Sequence, residues 1–143
     1  DILAVATVRP TVNQVEYHVG AGDVDNVIQK CKDEKIFFMS YSPLCGPCEI
    51  SDPKYSLING DLVTGIGAKY GKSGSQVSLR YIVQQALTTD YFGGVIPKSV
   101  NSAHLASNID LFDFELSDDD MAALGAATEP AAEAGDCDVT TVV

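Results

Sequence analysis

The sequence predicts an α/β fold built on a parallel sheet that three strands leave incomplete. Segments with apolar or alternating residues, typical of strands, are interspersed with amphipathic segments, typical of helices. Their order is strand, helix, strand, helices, strand, helix. Such alternation is typical of parallel sheets with right-handed crossovers. Three strands are too few to close a barrel, and both outer strands would keep an unpaired edge. We therefore expect further chain, or another protein, to complete the sheet.

The first predicted strand and helix occupy residues 11–19 and 23–32. Polar and apolar residues occur on both sides of the strand, as in a barrel strand whose end borders a site. In the helix, Val24, Val27, Ile28 and Cys31 recur at i, i+3, i+4 and i+7. This spacing predicts an amphipathic helix with these four residues on its buried face.

The second predicted strand covers residues 36–42, a continuous apolar run that ends before a proline. Such a run is typical of a strand buried on both faces of a parallel sheet. A loop rich in Gly, Pro and Ser extends to about Gly60. Helical spacing then predicts one helix that ends near Gly71 and another that begins between Ser73 and Gln76.

The third predicted strand is short, residues 95–96, and ends at a proline. Asn101 or Ser102 is expected to cap the next helix, which should turn Leu105 and Ile109 inward. Ser117 and Asp120 resemble a capping box before a last helix. From Glu129 onward, Ala, Glu, Gly, Asp and Thr predict a loose acidic tail. We therefore divide the chain into a structured part, residues 1–128, and a tail, residues 129–143.

Composition and charge exclude several classes of protein. Nine Lys and Arg against 20 Asp and Glu give a net charge of −11, which disfavours nucleic acid as a partner. No apolar run approaches the roughly 20 residues of a membrane helix. The chain opens at Asp1 without a basic n-region, so we expect no signal peptide.

The cysteines Cys31, Cys45, Cys48 and Cys137 are too few and too irregularly spaced for a secreted disulfide scaffold. We therefore expect a soluble protein in a reducing compartment, either intracellular or an organelle matrix or stroma.

Ligands of parallel α/β folds gather at the C-terminal ends of the strands. Residues 14–18, 41–44 and 96–101 occupy these positions. The last segment sets Lys98, a hydroxyl and a capping amide before a helix, whose N-terminus favours a phosphate. Tyr41 offers a flat ring for stacking, and Gln14 offers an amide for pairing with another amide.

Five segments in order resemble the successive signatures of aldo-keto reductases. They span the chain to about Leu124, at compatible spacing: VNQVEYH (12–18), YSPL (41–44), QVSLR (76–80), VIPKSV (95–100) and FDFELS (112–117). The resemblance implies strands six to eight of a (β/α)8 TIM barrel, the C-terminal half of such an enzyme. It also implies an NADP(H) cofactor bound in extended form.

Site residues follow from the resemblance by position. Tyr41 would stack on the nicotinamide, and Gln14 would hold its carboxamide. The resemblance places the remaining contacts along the pyrophosphate, the 2′-phosphate and the adenine: Ser42, Pro43, Leu44, Ile96, Lys98, Ser99, Val100, Asn101, His104 and Asn108. No metal site is implied.

Some positions depart from the family pattern. His104 stands where the family usually has Arg, and Ser107 stands where it often has Glu. Replacing the permanently charged guanidinium of Arg with an imidazole should weaken recognition of the 2′-phosphate. Use of NAD(H) is therefore an alternative. The loop after Leu44 reads Cys-Gly-Pro-Cys, where a small residue and an acid commonly help to clasp the cofactor.

The family's catalytic Asp, Tyr, Lys and His lie on earlier strands, and no residues here match those motifs. We therefore expect no catalysis, and weak or absent NADPH binding, by this chain alone. One interpretation is the cofactor-binding part of an active carbonyl reductase, whose partner is the missing N-terminal half of the barrel. The alternative is a non-catalytic accessory or structural subunit, whose open sheet edges another protein covers.

Cys45-Gly46-Pro47-Cys48 also matches the thioredoxin active motif, which needs a strand before it and a helix directly after it. The sequence continues as a loop instead, so redox catalysis is the weaker interpretation. A zinc site is weaker still, because no second pair of ligands completes it.

Overall fold

The structure, a computed structural model, describes residues 2–46, 50 and 52–131. Three strands and five α-helices occur within these residues: β1 (Val12–Glu16), α1 (Val27–Asp33), β2 (Phe37–Tyr41), α2 (Asp61–Tyr70), α3 (Gly74–Thr88), β3 (Phe92–Val95), α4 (Ser102–Ile109) and α5 (Asp118–Gly125). Short 3-10 helices cover Ile2–Ala4, Val24–Asn26 and Pro53–Tyr55. The strands form one parallel sheet in the order β1-β2-β3. The predicted element order and parallel pairing are confirmed.

Helices cover one face of this open sheet. On that face α1 packs against β2 and α3 packs against β3. Phe38 and Ser40 are buried there, whereas Phe37 and Tyr41, which alternate with them, keep 44% and 39% of their surface exposed. The prediction that the second strand is buried on both faces is therefore wrong for the described residues. We call the other side, which includes Val12 at 44% exposure, the uncovered face.

The first strand is shorter than the predicted residues 11–19. The Tyr17 amide still donates to the Tyr41 carbonyl at 3.3 Å, and the Ser40 hydroxyl donates to the Tyr17 carbonyl at 2.6 Å. The chain then turns at Gly20, whose φ is +92°. Residues 17–19 therefore leave the sheet and enter the core.

The first α-helix begins four residues later than predicted. Asp25 and Asn26 adopt left-handed φ values of 57° and 56°, which break the helix after Val24–Asn26. The Asp23 carboxylate accepts hydrogen bonds from the amides of Ile28 and Gln29, at 2.8 and 3.3 Å, and so caps α1 from beyond the break. Val24 consequently points outward, and its predicted place on the buried face is wrong.

The third strand lies earlier than the predicted residues 95–96. Phe92 pairs with Phe38, but Gly94 pairs with Met39, so the register shifts by one residue at Gly93. A Cβ on Gly93 would lie 3.1 Å from the Phe38 carbonyl oxygen. Glycine therefore permits the close approach of β2 and β3 at this irregularity.

Helix ends follow the local signals in two cases. Gly71 ends α2 in the left-handed conformation, and α3 begins at Gly74, within the predicted range, after a complete capping box of Ser73 and Gln76 that was not predicted. In contrast, Leu105 and Ile109 of α4 are 47% and 74% exposed, so their predicted inward orientation is wrong. The buried residue of α4 is Asn108 instead.

The last helix begins at the predicted cap. The Asp120 amide donates to the Ser117 hydroxyl at 3.2 Å. In a capping box the Ser117 amide would donate to the Asp120 side chain. Here it donates to the Tyr70 hydroxyl instead, at 3.0 Å. The Tyr70 hydroxyl in turn donates to the Asp120 carboxylate at 2.6 Å, so the cap joins α5 to α2.

The predicted tail begins inside the described residues. Pro130 is buried, and a Cβ on Gly20 would lie 2.6 Å from backbone atoms of Glu129 and Pro130. Residues 132–143 lie outside the described residues, so the loose acidic tail stays a prediction.

Three aromatic rings form the centre of the core beneath the sheet. Tyr17, Phe38 and Phe92 come from the three strands or their ends, with ring centroids 5.0 to 5.8 Å apart. The Tyr17 hydroxyl donates to the Gln85 amide oxygen at 3.0 Å, so this buried polar group is satisfied by α3. The cluster therefore fixes the ends of all three strands relative to one helix.

Candidate functional site

A groove made of two adjoining cavities lies between the ends of β2 and β3 and the start of α4. The first cavity, of about 450 Å³, is lined by Ser42, Pro43, Leu44, Gly46, Ile96, Pro97 and Lys98. The second, of about 260 Å³, is lined by Leu44, Gly46, Ile58, Ser75, Lys98, Ser99, His104, Ser107 and Asn108. Both cavities share Leu44, Gly46 and Lys98, so the groove is continuous.

Most of the residues that the sequence singled out meet in this groove. Its lining includes Ser42, Pro43, Leu44, Ile96, Lys98, Ser99, His104 and Asn108. Four others do not line it: Gln14, Tyr41, Val100 and Asn101. The Val100 side chain is 97% exposed, and Asn101 caps α4.

Gln14 and Tyr41 lie on the uncovered face. Gln14 pairs in register with Met39, which alternates with buried Phe38 and Ser40, and its amide nitrogen lies 3.9 Å from the Met39 sulfur. Tyr41 is two residues further along β2 and so shares this face. Tyr41 directly precedes Ser42, which lines the first cavity.

The segment that leads into α4 places positive charge in the groove. Among the residues that the structure describes, Lys98 forms no ion pair, whereas Lys54, Lys69 and Lys72 each pair with an aspartate. His104 lines the same cavity as Lys98. An ammonium and an imidazole beside a helix N-terminus suit a phosphate.

The backbone amides of α4 are partly occupied already. The Asn101 side-chain oxygen accepts from the amides of Ala103 and His104, at 2.8 and 3.3 Å. The Asn101 amide donates to the Ser99 hydroxyl at 3.1 Å. A phosphate here would therefore rely mainly on side chains, and Asn101 would act as the cap that orients the helix.

Five lining residues are outside the twelve predicted contacts: Gly46, Ile58, Ser75, Pro97 and Ser107. Ile58 and Ser75 also lie outside every segment that the sequence singled out for the site. Ile58 lies in the turn before α2 and is 45% exposed, and Ser75 lies in the first turn of α3. Neither stands at the end of a strand, and only the packing of α2 and α3 brings them to the groove. Asn108, which is 9% exposed, lines the same cavity.

The loop after β2 forms one wall of the groove. Ser42 and Cys45 both have left-handed φ values, 49° and 59°, and the Cys45 amide donates to the Ser42 carbonyl at 2.8 Å. Leu44 and Gly46 line both cavities, whereas Cys45 is 4% exposed and belongs to the hydrophobic core. The two lining residues of this wall therefore flank a buried cysteine.

Cys45 is disulfide-bonded, and Cys31 is a free, buried thiol. Disulfides are typical of oxidising compartments, so this bond does not favour the expected reducing compartment, which stays a prediction. Cys48 and Cys137 lie outside the described residues, and the weaker thioredoxin-type interpretation of the loop remains untested. The described residues contain no group of three or more His, Cys, Asp or Glu side chains that could hold a metal ion.

Tyr17 and His18 are buried and do not line the groove. Burial raises the pKa of the Tyr17 hydroxyl far above its usual value, which makes it a poorer proton donor. The His18 ring is 1% exposed, and its Nδ1 lies 2.8 Å from the Val19 carbonyl oxygen. Both side chains therefore act as packed core residues.

Another cavity, of about 360 Å³, is lined by none of the twelve predicted residues. The one cationic side chain in its lining, Lys54, pairs with Asp52 at 2.9 Å and lies 4.8 Å from the Tyr55 ring centroid. The groove, rather than this cavity, is therefore the candidate functional site.

None of the helices in the described part of the chain has the length and apolar character needed to cross a membrane.

Comparison with known proteins gives consistent matches. The profile of the Aldo/keto reductase family matches residues 2–129. The chain is 34% identical to aldo-keto reductase family 1 member A1-A of Danio rerio, over 85% of this chain and 36% of that protein. It is also 34% identical to the glyoxal reductase of Bacillus subtilis, over 85% of this chain and 38% of that protein.

A structural match agrees with these relatives. A Gox0644 mutant solved in complex with NADPH superposes with a TM-score of 0.69 and 29% identity, over 92% of this chain and 42% of that one. The chain thus spans well under half the length of the proteins it matches, and its open three-stranded sheet is a fragment of their barrel. We conclude that the chain belongs to the aldo/keto reductase family.

Proposed function

We propose that this chain is the C-terminal, cofactor-binding part of an NAD(P)H-dependent aldo-keto reductase that reduces aldehydes or ketones to alcohols. In this proposal β1, β2 and β3 are strands six to eight of the (β/α)8 barrel. The groove holds the pyrophosphate and adenosine end of NADP(H). The observation that carries the proposal is the continuity of the groove from Ser42 to Asn108, with unpaired Lys98 at the junction of its two cavities.

The residues of this chain fit an extended dinucleotide in order. Tyr41 and Gln14 on the uncovered face take the nicotinamide ring and its carboxamide. Ser42 and Leu44 border the pyrophosphate, with Pro43 and Ile96 as the apolar walls of that cavity. Beyond them, side chains before and along α4 take the 2′-phosphate and the adenine: Lys98, Ser99, His104 and Asn108.

Bound NADP(H) supplies the hydride that reduces a carbonyl carbon. The groove binds and orients the dinucleotide, and the uncovered face bears its nicotinamide ring. A proton donor for the carbonyl oxygen is contributed by the remainder of the barrel, which also pairs with the open edges of β1 and β3. The names of the glyoxal reductase and of the NADPH complex support this reaction class and this cofactor.

Adenosine 2′,5′-bisphosphate, the end of the cofactor that the groove would hold, tests the proposal directly. We expect saturable amide shifts in the ¹⁵N-labelled chain at Leu44, Lys98, Ser99, His104 and Asn108. The dissociation constant should be on the order of 1 mM, about −4 kcal/mol, because only part of the pocket is present. Nicotinamide mononucleotide should shift a different set of amides, around Gln14, Tyr41 and Ser42. Absent shifts, or shifts confined to other parts of the chain, would overturn the proposal.

Matched lysine variants separate a specific contact from general charge. Lys98→Ala should weaken bisphosphate binding about tenfold, since one charge-assisted hydrogen bond contributes about 1.5 kcal/mol. Lys32→Ala removes the same charge from α1, away from the groove, and should leave the affinity unchanged. Equal effects of both variants would show that only the net charge matters.

A second candidate is a non-catalytic accessory subunit derived from a reductase. The uncovered face favours it, because Val12, Phe37 and Tyr41 present apolar surface that another protein could cover. The intact mass of the native polypeptide distinguishes the two. A mass that includes the rest of the barrel supports the enzyme, whereas a stable chain of this size found in a larger assembly supports the subunit.

A further inference from the structure

We infer that the cavity of about 360 Å³ beside the start of α2 is a second binding site, which takes an organic ammonium ion with an apolar body. We call it the α2 cavity. Its volume lies within the range of about 300–1,000 Å³ that is usual for small-molecule sites. None of the described residues lines both this cavity and the groove, so the inference does not rest on the proposed function.

The α2 cavity has an apolar inner surface. Val19, Leu57 and Val63 line it and belong to the hydrophobic core, with exposures of 1%, 2% and 2%. Residues 126–129 supply two alanines to the lining, and their small side chains leave the space open. The apolar part of a ligand that entered the cavity would therefore leave water and contact the core.

Two carboxylates line the same cavity and have no partners of their own. In the part of the chain that the structure describes, the side chains of Asp61 and Glu129 form neither a hydrogen bond nor an ion pair. The Glu129 backbone is packed closely against the turn at Gly20, where a Cβ would lie 2.6 Å from its carbonyl carbon. A carboxylate forms its strongest hydrogen bonds with a charged donor. The two unpaired groups therefore favour a cation.

The lining already holds one ammonium group in the way that such a ligand would be held. Lys54 lies 2.9 Å from the Asp52 carboxylate, and its Nζ lies 4.8 Å from the Tyr55 ring centroid. These two neighbours, Asp52 first and then Tyr55, raise the pKa of the Lys54 ammonium above its usual value. Carboxylates and aromatic rings are the groups that attract organic ammonium ions.

The charge of the whole chain favours the same class of ligand. A net charge of −11 raises the concentration of cations near the protein and repels anions. Attraction to the net charge alone selects no particular place on the surface, whereas the apolar inner surface of the α2 cavity does. The ligand class is therefore an amine that carries an apolar group, and a small inorganic cation lacks half of the required contacts.

Titration of the ¹⁵N-labelled full chain with benzylammonium at pH 7 tests the site. We expect saturable amide shifts at Leu57, Leu62, Ala127 and Thr128, with a dissociation constant on the order of 1 mM. Benzyl alcohol has the same ring without the charge and should bind about threefold more weakly or less well still. Methylammonium has the charge without the ring and should give no saturable shifts. Benzylammonium shifts that do not saturate, or that spread over the acidic surface, would overturn the inference.

Matched carboxylate variants separate the cavity from the general charge. Asp61→Asn and Glu129→Gln change exposed side chains, so both variants should fold, and each should weaken benzylammonium binding about threefold. Asp33→Asn removes the same charge from α1, away from the cavity, and should leave the affinity unchanged. Equal losses in all three variants would show that only the net charge matters and would overturn the site.

Two further variants change the cavity and keep both carboxylates. Ala126→Leu fills part of the space from an exposed position and should weaken binding about tenfold, because apolar contact with the ligand is lost. Leu62→Ala, at a lining position that is 38% exposed, removes apolar surface and should also weaken it. Circular dichroism verifies that each variant is folded. Unchanged affinity in the folded variants would overturn the site.

Competition separates this inference from the proposed function. Adenosine 2′,5′-bisphosphate should bind with about the same affinity in the presence and absence of saturating benzylammonium. Displacement of benzylammonium by the bisphosphate would place the cation in the groove and overturn the second site. Failure of the bisphosphate to bind would overturn the proposed function alone.

Discussion

The side-chain amide of Gln84 hydrogen-bonds both backbone polar groups of Leu116. Its nitrogen donates to the Leu116 carbonyl at 2.8 Å, and its oxygen accepts from the Leu116 amide at 2.9 Å. Both residues are buried, and the same oxygen accepts from Arg80 at 3.1 Å. The Gln84 side chain thus satisfies the Leu116 backbone through one donated and one accepted hydrogen bond, as a neighbouring strand would.

Gln84→Ala should lower the free energy of unfolding by about 2–4 kcal/mol, since it leaves a buried donor and a buried acceptor without partners. Urea denaturation monitored by circular dichroism measures this change. As a control, Gln29→Ala removes an exposed hydrogen bond to Asp33 and should cost less than about 0.5 kcal/mol. Equal losses in the two variants would contradict this role of Gln84.

Two glycines of α2 should respond to alanine with opposite signs. A Cβ on Gly67 would lie 2.3 Å from the Lys72 carbonyl oxygen, whereas nothing lies within 4 Å of a Cβ on Gly65. Gly67→Ala should therefore destabilise the protein by about 1–3 kcal/mol through overpacking. Gly65→Ala should stabilise it by up to about 1 kcal/mol through helix propensity. Thermal unfolding of both variants checks the sign, and stabilisation by Gly67→Ala would contradict the close contact.

Asp120 should make the stability of the protein depend on pH in the acidic range. Hydrogen bonds from Lys69 first, and then from Tyr70, hold the pKa of the Asp120 carboxyl below its usual value. The stability that the ionised Asp120 carboxylate contributes is therefore fully present above its pKa in the unfolded chain, about 3.9. It is lost as pH falls through the lower pKa of the folded state. Asp120→Asn should destabilise the protein at pH 7, and the difference should shrink below about pH 4. Urea unfolding at both pH values measures it, and a difference that grew in acid would contradict this assignment.

His104 should limit recognition of the 2′-phosphate. His104→Arg places a permanent, forked cation beside Lys98 in the second cavity. The ratio of affinities for adenosine 2′,5′-bisphosphate over 5′-AMP should rise about tenfold, as expected for one added charge-assisted hydrogen bond. Calorimetric or NMR titration of both ligands gives the ratio. An unchanged ratio would place the 2′-phosphate elsewhere.

Local signals in the sequence predicted the elements whose causes are themselves local. Ser73 with Gln76 and the terminal Gly71 mark helix ends through bonds within one turn, and the structure has both. The break before α1 was missed because Asp25 and Asn26 take left-handed conformations that a hydrophobic spacing of 3.6 residues does not register. The irregular pairing of β3 was missed because it depends on contact between Gly93 and β2.

The candidate site was predictable for residues at strand ends and for those that the family resemblance supplied, such as His104 and Asn108 on α4. Ser42 directly follows β2 and Lys98 lies three residues after the end of β3, so a parallel sheet alone brings them to one edge. Ile58 and Ser75 reach the groove through the packing of α2 and α3, which no short segment encodes. Leu105 failed as a core prediction because the described residues offer α4 little to pack against on that side.

The chain-order arrangement β1-β2-β3 has a consequence for the folding pathway. The connection 17–36 between β1 and β2 is much shorter than the connection 42–91 between β2 and β3. Closing the longer one costs about 0.8 kcal/mol more in loop entropy. Pulse-labelled hydrogen exchange should therefore find the pairing of Gln14 with Met39 protected before that of Met39 with Gly94. The groove, which needs both connections closed, should form last.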